Sequence, residues 1–295
     1  MIKNITLINT SNNTTVNFDN TNFVLNSHTL DSLNMQHNKS KTTKQVGATI
    51  TSTVVPSRII SLIGYVWASS TNTLDENKQT LVNLTTPWTD IIIQVTTDIQ
   101  TYQLTTKTQN LVKWGAGWSN QNDQYVKFSI NLLAPTTLWE ATEPVTIPFS
   151  SFKNTFKFPF YSPSWGFTYG YPVPYSPVSI TNPSPSPIGL IITLNTAASI
   201  TGVSITNLIT QQTFVLTNTL EPQTTLTIST IFGHKTVTAT TNNVTTNLLG
   251  SVDLTSSVWL QLEPGENTFS LGCTSGDITN LSGSISYTPQ YWGVV

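Results

Sequence analysis

Tyr125-Val126-Lys127-Phe128-Ser129-Ile130-Asn131-Leu132 decides the fold class. Val126, Phe128, Ile130 and Leu132 are apolar, while Lys127, Ser129 and Asn131 between them are polar. A period of two puts one set on each face of an extended chain, which is the pattern of a half-buried strand. Similar short runs appear at Asp90 to Thr97, Thr101 to Thr106 and Gln109 to Trp114. Ile59 to Trp67 is apolar on both faces and predicts a strand covered on both sides. One segment breaks the pattern. Thr73-Leu74-Asp75-Glu76 has the form of a capping box, with acids in the first turn. Leu74, Leu81 and Leu84 follow near helical spacing and Pro87 closes the segment, so a helix of about three turns is expected to pack its leucines on a sheet.

A second series of strands is expected after Gly189, over Leu190 to Leu194, Ser204 to Ile209, Thr213 to Thr217 and Thr225 to Thr230. Lys235 to Thr240, Ser257 to Leu262, Asn267 to Gly272 and Ser282 to Tyr287 continue it. Turn chemistry joins them, as in Leu262-Glu263-Pro264-Gly265, where Pro sets φ and Gly accepts φ > 0. Strands at this spacing with no helix between them predict a β-sandwich. Between the two series, ten of the 16 prolines lie from Pro144 to Pro187. They are interleaved with Phe149, Phe152, Phe156, Phe158, Phe160, Tyr161, Trp165, Phe167, Tyr169, Tyr171 and Tyr175. Proline excludes this stretch from the middle of a sheet, and so many aromatics exclude a free polar linker. The expected organisation is a β domain with one helix over 1–145, an extended inter-domain segment over 146–188 and a β-sandwich over 189–295, whose last strands can return to the first domain.

The 295 residues include only 9% charged residues, against about 25% in ordinary soluble proteins. Aromatics at 10%, with eight Trp, still supply enough apolar surface to offset the entropy of ordering. From Phe158 to Leu220, 63 residues, there is no Asp, Glu, Lys, Arg or His, which points to a surface covered in a larger assembly. The net charge is −2 and Arg58 is the one arginine, so nucleic acid is not an expected partner. Lys39, Lys41 and Lys44 form the one dense basic stretch and read as a solvated polar loop. Met1-Ile-Lys-Asn-Ile-Thr lacks the apolar core of an export signal. The longest apolar runs, Ile59 to Ala68 and Ile188 to Leu194, fall short of the ~18 residues of a membrane span, so no membrane partner is expected.

Candidate chemistry is sparse. His28, His37 and His234 are the three histidines, and none stands at metal-ligand spacing from a Cys or carboxylate. Cys273 excludes an intrachain disulfide and, in the run Phe269, Leu271, Cys273, reads as a buried inert thiol. Glu140 with Glu143 and Glu263 with Glu266 are carboxylate pairs of the type that glycoside hydrolysis uses, and both pairs read as solvated. No catalytic residue is assigned, and no cofactor or metal is expected. Trp114, Trp118, Trp165 and Trp292 are candidates for stacking on sugar, and equally candidates for core or interface filling.

In the order of its features the chain resembles the distal tail proteins of siphophages, the hub between tail tube and tip. Arg58-Ile-Ile-Ser-Leu-Ile-Gly64, the helix and a strand ending Asn131-Leu-Leu-Ala-Pro135 follow the family's N-terminal domain, and Phe158-Pro-Phe160 occupies its inter-domain position. Val258-Trp-Leu-Gln-Leu-Glu-Pro-Gly-Glu-Asn-Thr-Phe269 resembles the family's strand, Pro-Gly turn and strand, and Ser286-Tyr-Thr-Pro-Gln-Tyr-Trp-Gly-Val294 resembles its ending. The resemblance implies a homo-hexameric ring formed by the N-terminal domain, with a galectin-like antiparallel β-sandwich attached outside. It implies a place in the virion tail tip. The partners implied are the tail tube protein, the tape-measure protein, a tail-associated hub protein and, in some members, receptor-binding proteins. Galectins hold one sugar with His, Asn, Arg, Trp and Glu together, and no Arg follows Arg58, so no sugar-binding residue is carried over. The competing reading is a carbohydrate-binding module that attaches to the host cell wall. A tail-tube subunit is a third reading, set back because tube proteins share a similar first domain but usually lack such a second sandwich.

Overall fold

Strand pairing sorts the chain into two cores in its computed structural model, which describes residues 2–117, 119–149, 151–154, 170–173 and 177–294. One compact unit comprises Met1–Thr142 with Tyr291–Val295, and the other comprises Glu143–Gln290. In chain order the second unit is therefore an insertion near the end of the first.

The first unit runs β1 (Ile2–Asn9), β2 (Thr15–Asn17), β3 (Phe23–His28), β4 (Gln36–Ser40), β5 (Thr49–Val54) and β6 (Arg58–Trp67). It continues through α1 (Thr71–Leu84), β7 (Asp90–Thr97), β8 (Thr101–Trp114), β9 (Tyr125–Ala134) and β10 (Trp139–Ala141). The order β2-β1-β7-β8-β9-β6-β3 forms an antiparallel sheet, and β10 adds to β8. The opening stretch behaves as its period requires: Val126, Phe128, Ile130 and Leu132 are buried, and β9 pairs with β6 from Arg58↔Ala134 to Trp67↔Tyr125. Leu74, Leu81 and Leu84 of α1 join the same core, each contributing about 2 kcal/mol by leaving water.

Several expectations are corrected. The helix starts three residues early, because Ser70 and not Thr73 is its N-cap; the Ser70 hydroxyl accepts from Thr73 N–H at 3.3 Å. The runs Thr101 to Thr106 and Gln109 to Trp114 are one strand, β8, whose pairing with β9 shifts register between Thr108 and Asn110 and between Asn110 and Lys113. β6 buries one face only; Ile59, Ser61, Ile63, Tyr65 and Trp67 on the other face are partly or largely exposed. The basic stretch is not a loop throughout: β4 and β5 form a hairpin whose strand residues are all exposed, with Lys39 in β4 and Lys41 and Lys44 in its connection. Gln36-His-Asn-Lys-Ser40 contains no apolar residue, so it carries no period of two to read.

The second unit contains β11 (Val145–Pro148), β12 (Ser151–Asn154), β13 (Gly170–Val173), β14 (Val178–Asn182), β15 (Ile188–Gly189) and β16 (Ile191–Thr196). It goes on through β17 (Ile200–Thr201), β18 (Ser204–Asn207), β19 (Gln212–Val215), β20 (Thr219–Leu220), β21 (Thr224–Ser229), β22 (Thr236–Thr241) and β23 (Val244–Asn247). β24 (Gln261–Leu262), β25 (Gly265–Gly272) and β26 (Leu281–Tyr287) follow, and β27 (Gln290–Tyr291) pairs with β10. One sheet has the order β11-β26-β16-β21-β22-β23 and another β14-β25-β18-β19. Ile192, Leu194, Leu226, Ile228 and Ile285 from the first share a core with Ile180, Ile205, Phe214 and Phe269 from the second, the arrangement of a sandwich. The protein is mainly β, and α1 is the one α-helix among the described residues.

Within and next to the segment 146–188, β11 and β14 pair into the sandwich sheets. Each is an edge strand, the position that Pro148 at the end of β11, and Pro177 and Pro183 around β14, can occupy without breaking an inner ladder. Phe156, Phe158, Phe160, Tyr161, Trp165, Phe167, Tyr169 and Tyr175 lie outside the described residues. Ser257 to Leu262 is a strand only at β24; before it, the chain follows β19 through Val258 N–H to Thr213 O at 2.8 Å. No helix among the described residues is long and apolar enough to cross a membrane.

Candidate functional site

Among the described residues of the sandwich, Asn267, which stands in the Glu-Pro-Gly-Glu-Asn run and is fully buried, makes four side-chain hydrogen bonds. Its Nδ2 donates to Glu263 O at 2.7 Å and Gly265 O at 3.1 Å. Its Oδ1 accepts from Glu263 N–H and from Asn207 Nδ2, each at 3.0 Å. The side chain thus closes the Pro-Gly turn from inside and ties it to β18. Gly265 takes φ +88°, the left-handed conformation expected of it.

Arg58 is the equivalent fastening in the first unit. It is 1% exposed, and its guanidinium donates to Leu30 O at 2.7 Å and to Trp292 O at 2.6 Å. The guanidinium also stands 5.9 Å from the centre of the Trp139 ring. Burial lowers its pKa from the ordinary value, and the charge of Asp31 opposes that shift. Tyr291 completes the contact edge-to-face on Tyr102, with ring centres 5.3 Å apart. The one arginine therefore holds the returning C-terminal segment, an intramolecular use its sequence position did not reveal.

The residues considered for chemistry are dispersed. His28, His37 and His234 are exposed; His37 Nδ1 is 2.9 Å from Thr53 Oγ1. Glu140 is half-buried in β10 opposite Gln103, which corrects the solvated reading for that residue, and Glu143 is exposed. Glu263 is half-buried at the Pro-Gly turn and Glu266 is exposed. Cys273 is not buried: β25 ends at Gly272, and the thiol stands half-exposed with Sγ 3.7 Å from Gly276 O. Trp114 packs on the first core, Trp292 contributes its carbonyl to Arg58, and Trp118 and Trp165 lie outside the described residues. Among the described residues no group of three or more His, Cys, Asp or Glu side chains gathers as a metal site would. What these fastenings can do is hold shape.

Residues 184–291 match the model of a protein family described as the siphovirus-type tail component, C-terminal domain. A search of curated protein sequences finds no match. Among solved structures, the Dit protein of SPP1, described as a paradigm of the hub adsorption apparatus in phages that infect Gram-positive bacteria, is similar over 97% of this chain and 99% of its own. The TM-score is 0.69 at 15% identity. A chain of the phage P2 baseplate in its activated conformation with Ca aligns over 100% of both chains, with TM-score 0.56 and 11% identity. The same baseplate with Sr gives TM-score 0.53 at 11% identity, over 96% of this chain and 97% of the other. Residues 184–291 are therefore similar to the C-terminal domain of the siphovirus-type tail component family, on a chain whose fold over 97% of its length is similar to that of the SPP1 Dit protein.

Proposed function

We propose that the chain is a structural subunit of a phage tail tip, in which six copies close into a ring that joins the tail tube to the tip and host-adsorption proteins. The observation that carries this reading is the pairing of the family match over 184–291 with a hub-protein fold that runs the length of both chains. The role is structural, and no catalytic step is assigned to any residue. Its partners are further copies of the chain, the tail tube protein, the tape-measure protein, a tail-associated hub protein and a receptor-binding protein. Arg58 and Asn267 serve it by fixing the shapes that a closed assembly repeats, since symmetric closure tolerates little variation between subunits. The test is the solution mass of the purified chain by light scattering, followed by imaging of any oligomer. Six copies in a ring with an open centre are expected. A chain that stays monomeric at high concentration sinks the ring, and retention on host wall polysaccharide would then favour the carbohydrate-binding reading.

A further inference from the structure

Trp88 is the side chain whose placement its own fold does not explain. It lies in the turn between α1 and β7 with φ 69°, a left-handed conformation that costs stability in a bulky residue. Its side chain is 95% exposed, so no packing within the chain offsets that cost. The turn itself is firmly held. Asn9 Nδ2 donates to Leu84 O at 2.9 Å and to Thr89 Oγ1 at 3.0 Å, and Thr89 Oγ1 donates to Thr86 O at 2.9 Å. A fixed backbone thus presents an indole with both ring faces open.

At the other end of α1 lies a partly exposed aromatic cluster. Trp67, 42% exposed, stands 5.0 Å from Tyr125, and Tyr125 meets Tyr65 edge-to-face at 5.8 Å. Trp67 is bound to the middle of α1, since Asn77 Nδ2 donates to its carbonyl at 3.2 Å. Trp88, 95% exposed, does not pack on this cluster in its own chain. Residues 59–74 and 79–89 contain no charge, and Lys127, opposite Tyr65, supplies an ammonium that an indole face attracts.

We propose that Trp88 of one copy docks on the Tyr65, Trp67 and Tyr125 cluster of the next copy. The inference rests on the ring reading and names the contact that would close it. A different patch at each end of one helix makes the contact head-to-tail, the type that generates rings. Aromatic side chains prefer offset or edge-to-face neighbours, which the cluster offers.

The experiment compares the full chain with Trp88→Ala, Trp88→Gly and Trp67→Ala by light scattering and thermal melting. Trp88→Ala should weaken self-association roughly 30-fold, the loss of one central aromatic anchor, without lowering the melting temperature of the monomer. Trp88→Gly should lose association equally while its monomer melts higher, because glycine accepts the positive φ. Mixed one to one, Trp88→Ala and Trp67→Ala each lack one half of the contact and should form pairs but no rings. If the wild type forms rings and Trp88→Ala forms them equally well, the docking contact is overturned and the ring stands. If the wild type is monomeric, the ring reading falls and the contact falls with it. A Trp88→Gly monomer that melts several degrees lower also overturns the proposal, since the indole would then be serving its own fold.

Discussion

Asn267 shows how much one amide can fix when both of its ends are used. Two carbonyls, one backbone N–H and the Asn207 amide are satisfied by a side chain that is itself out of water. Removing it strands those partners, and a buried polar group left unpaired costs about 1–3 kcal/mol. Asn267→Ala should therefore destabilise the sandwich by about 3 kcal/mol, most of it from Glu263 O and Asn207 Nδ2. Urea unfolding followed on the sandwich checks this, and a loss below about 0.5 kcal/mol would show that water replaces the amide at the turn. In the sequence, the Pro-Gly turn and the left-handed Gly265 are readable from residue type alone. The task of Asn267 is not, because its partner Asn207 is 60 residues away and nothing local marks the pair. Arg58 is hidden for the same reason, with its acceptor Trp292 O 234 residues along the chain.

Elements were legible in proportion to the sidedness of their burial. β7 and β9 each have one face in the core, and their alternation gives their extents closely. The hairpin of β4 and β5 has no buried face, so its pairing follows from proximity and turn geometry rather than from any apolar pattern. β6 misled in the opposite direction, since a strand apolar on both faces is covered on only one within a single chain. Gly64 in the middle of β6 is the most demanding position in that strand. A Cβ there would collide with Val24 O of β3 and come within 2.9 Å of the Phe128 ring. The glycine lets β3 approach while Phe128 lies across the gap, which is a use of glycine in strands where backbones crowd. Gly64→Ala should cost about 3 kcal/mol by overpacking and release β3 first, as it is the edge strand. Amide hydrogen exchange of Phe23 to His28 would register that release, while unchanged protection there would place the strain elsewhere.

At the scale of the whole molecule, the chain leaves the first unit after Thr142 and comes back to it at Tyr291. The return consists of few residues, yet it supplies Tyr291 against Tyr102, Val294 against the core and the Trp292 carbonyl to Arg58. Without it, the Arg58 guanidinium keeps Leu30 O and loses its second acceptor inside the protein. A hydrogen bond to a charged group is worth about 1.5–3 kcal/mol, and removal of the partner leaves a buried charge short of acceptors. Closing the first unit across the insertion costs little more than closing a shorter loop, because closure entropy grows only with the logarithm of length. Truncation after Pro289 should therefore lower the stability of the first unit by about 3–4 kcal/mol and leave the sandwich core intact. Unit-resolved hydrogen exchange separates the two effects: amides of β6, β7 and β8 should lose protection while those of β16, β21 and β26 keep theirs. Arg58→Met in the full-length chain should reproduce most of the loss, since it removes both donors while retaining much of the side-chain volume. If truncation leaves β6 as protected as before, the C-terminal return is a passive end, and the first unit is stabilised by its sheet and α1 alone.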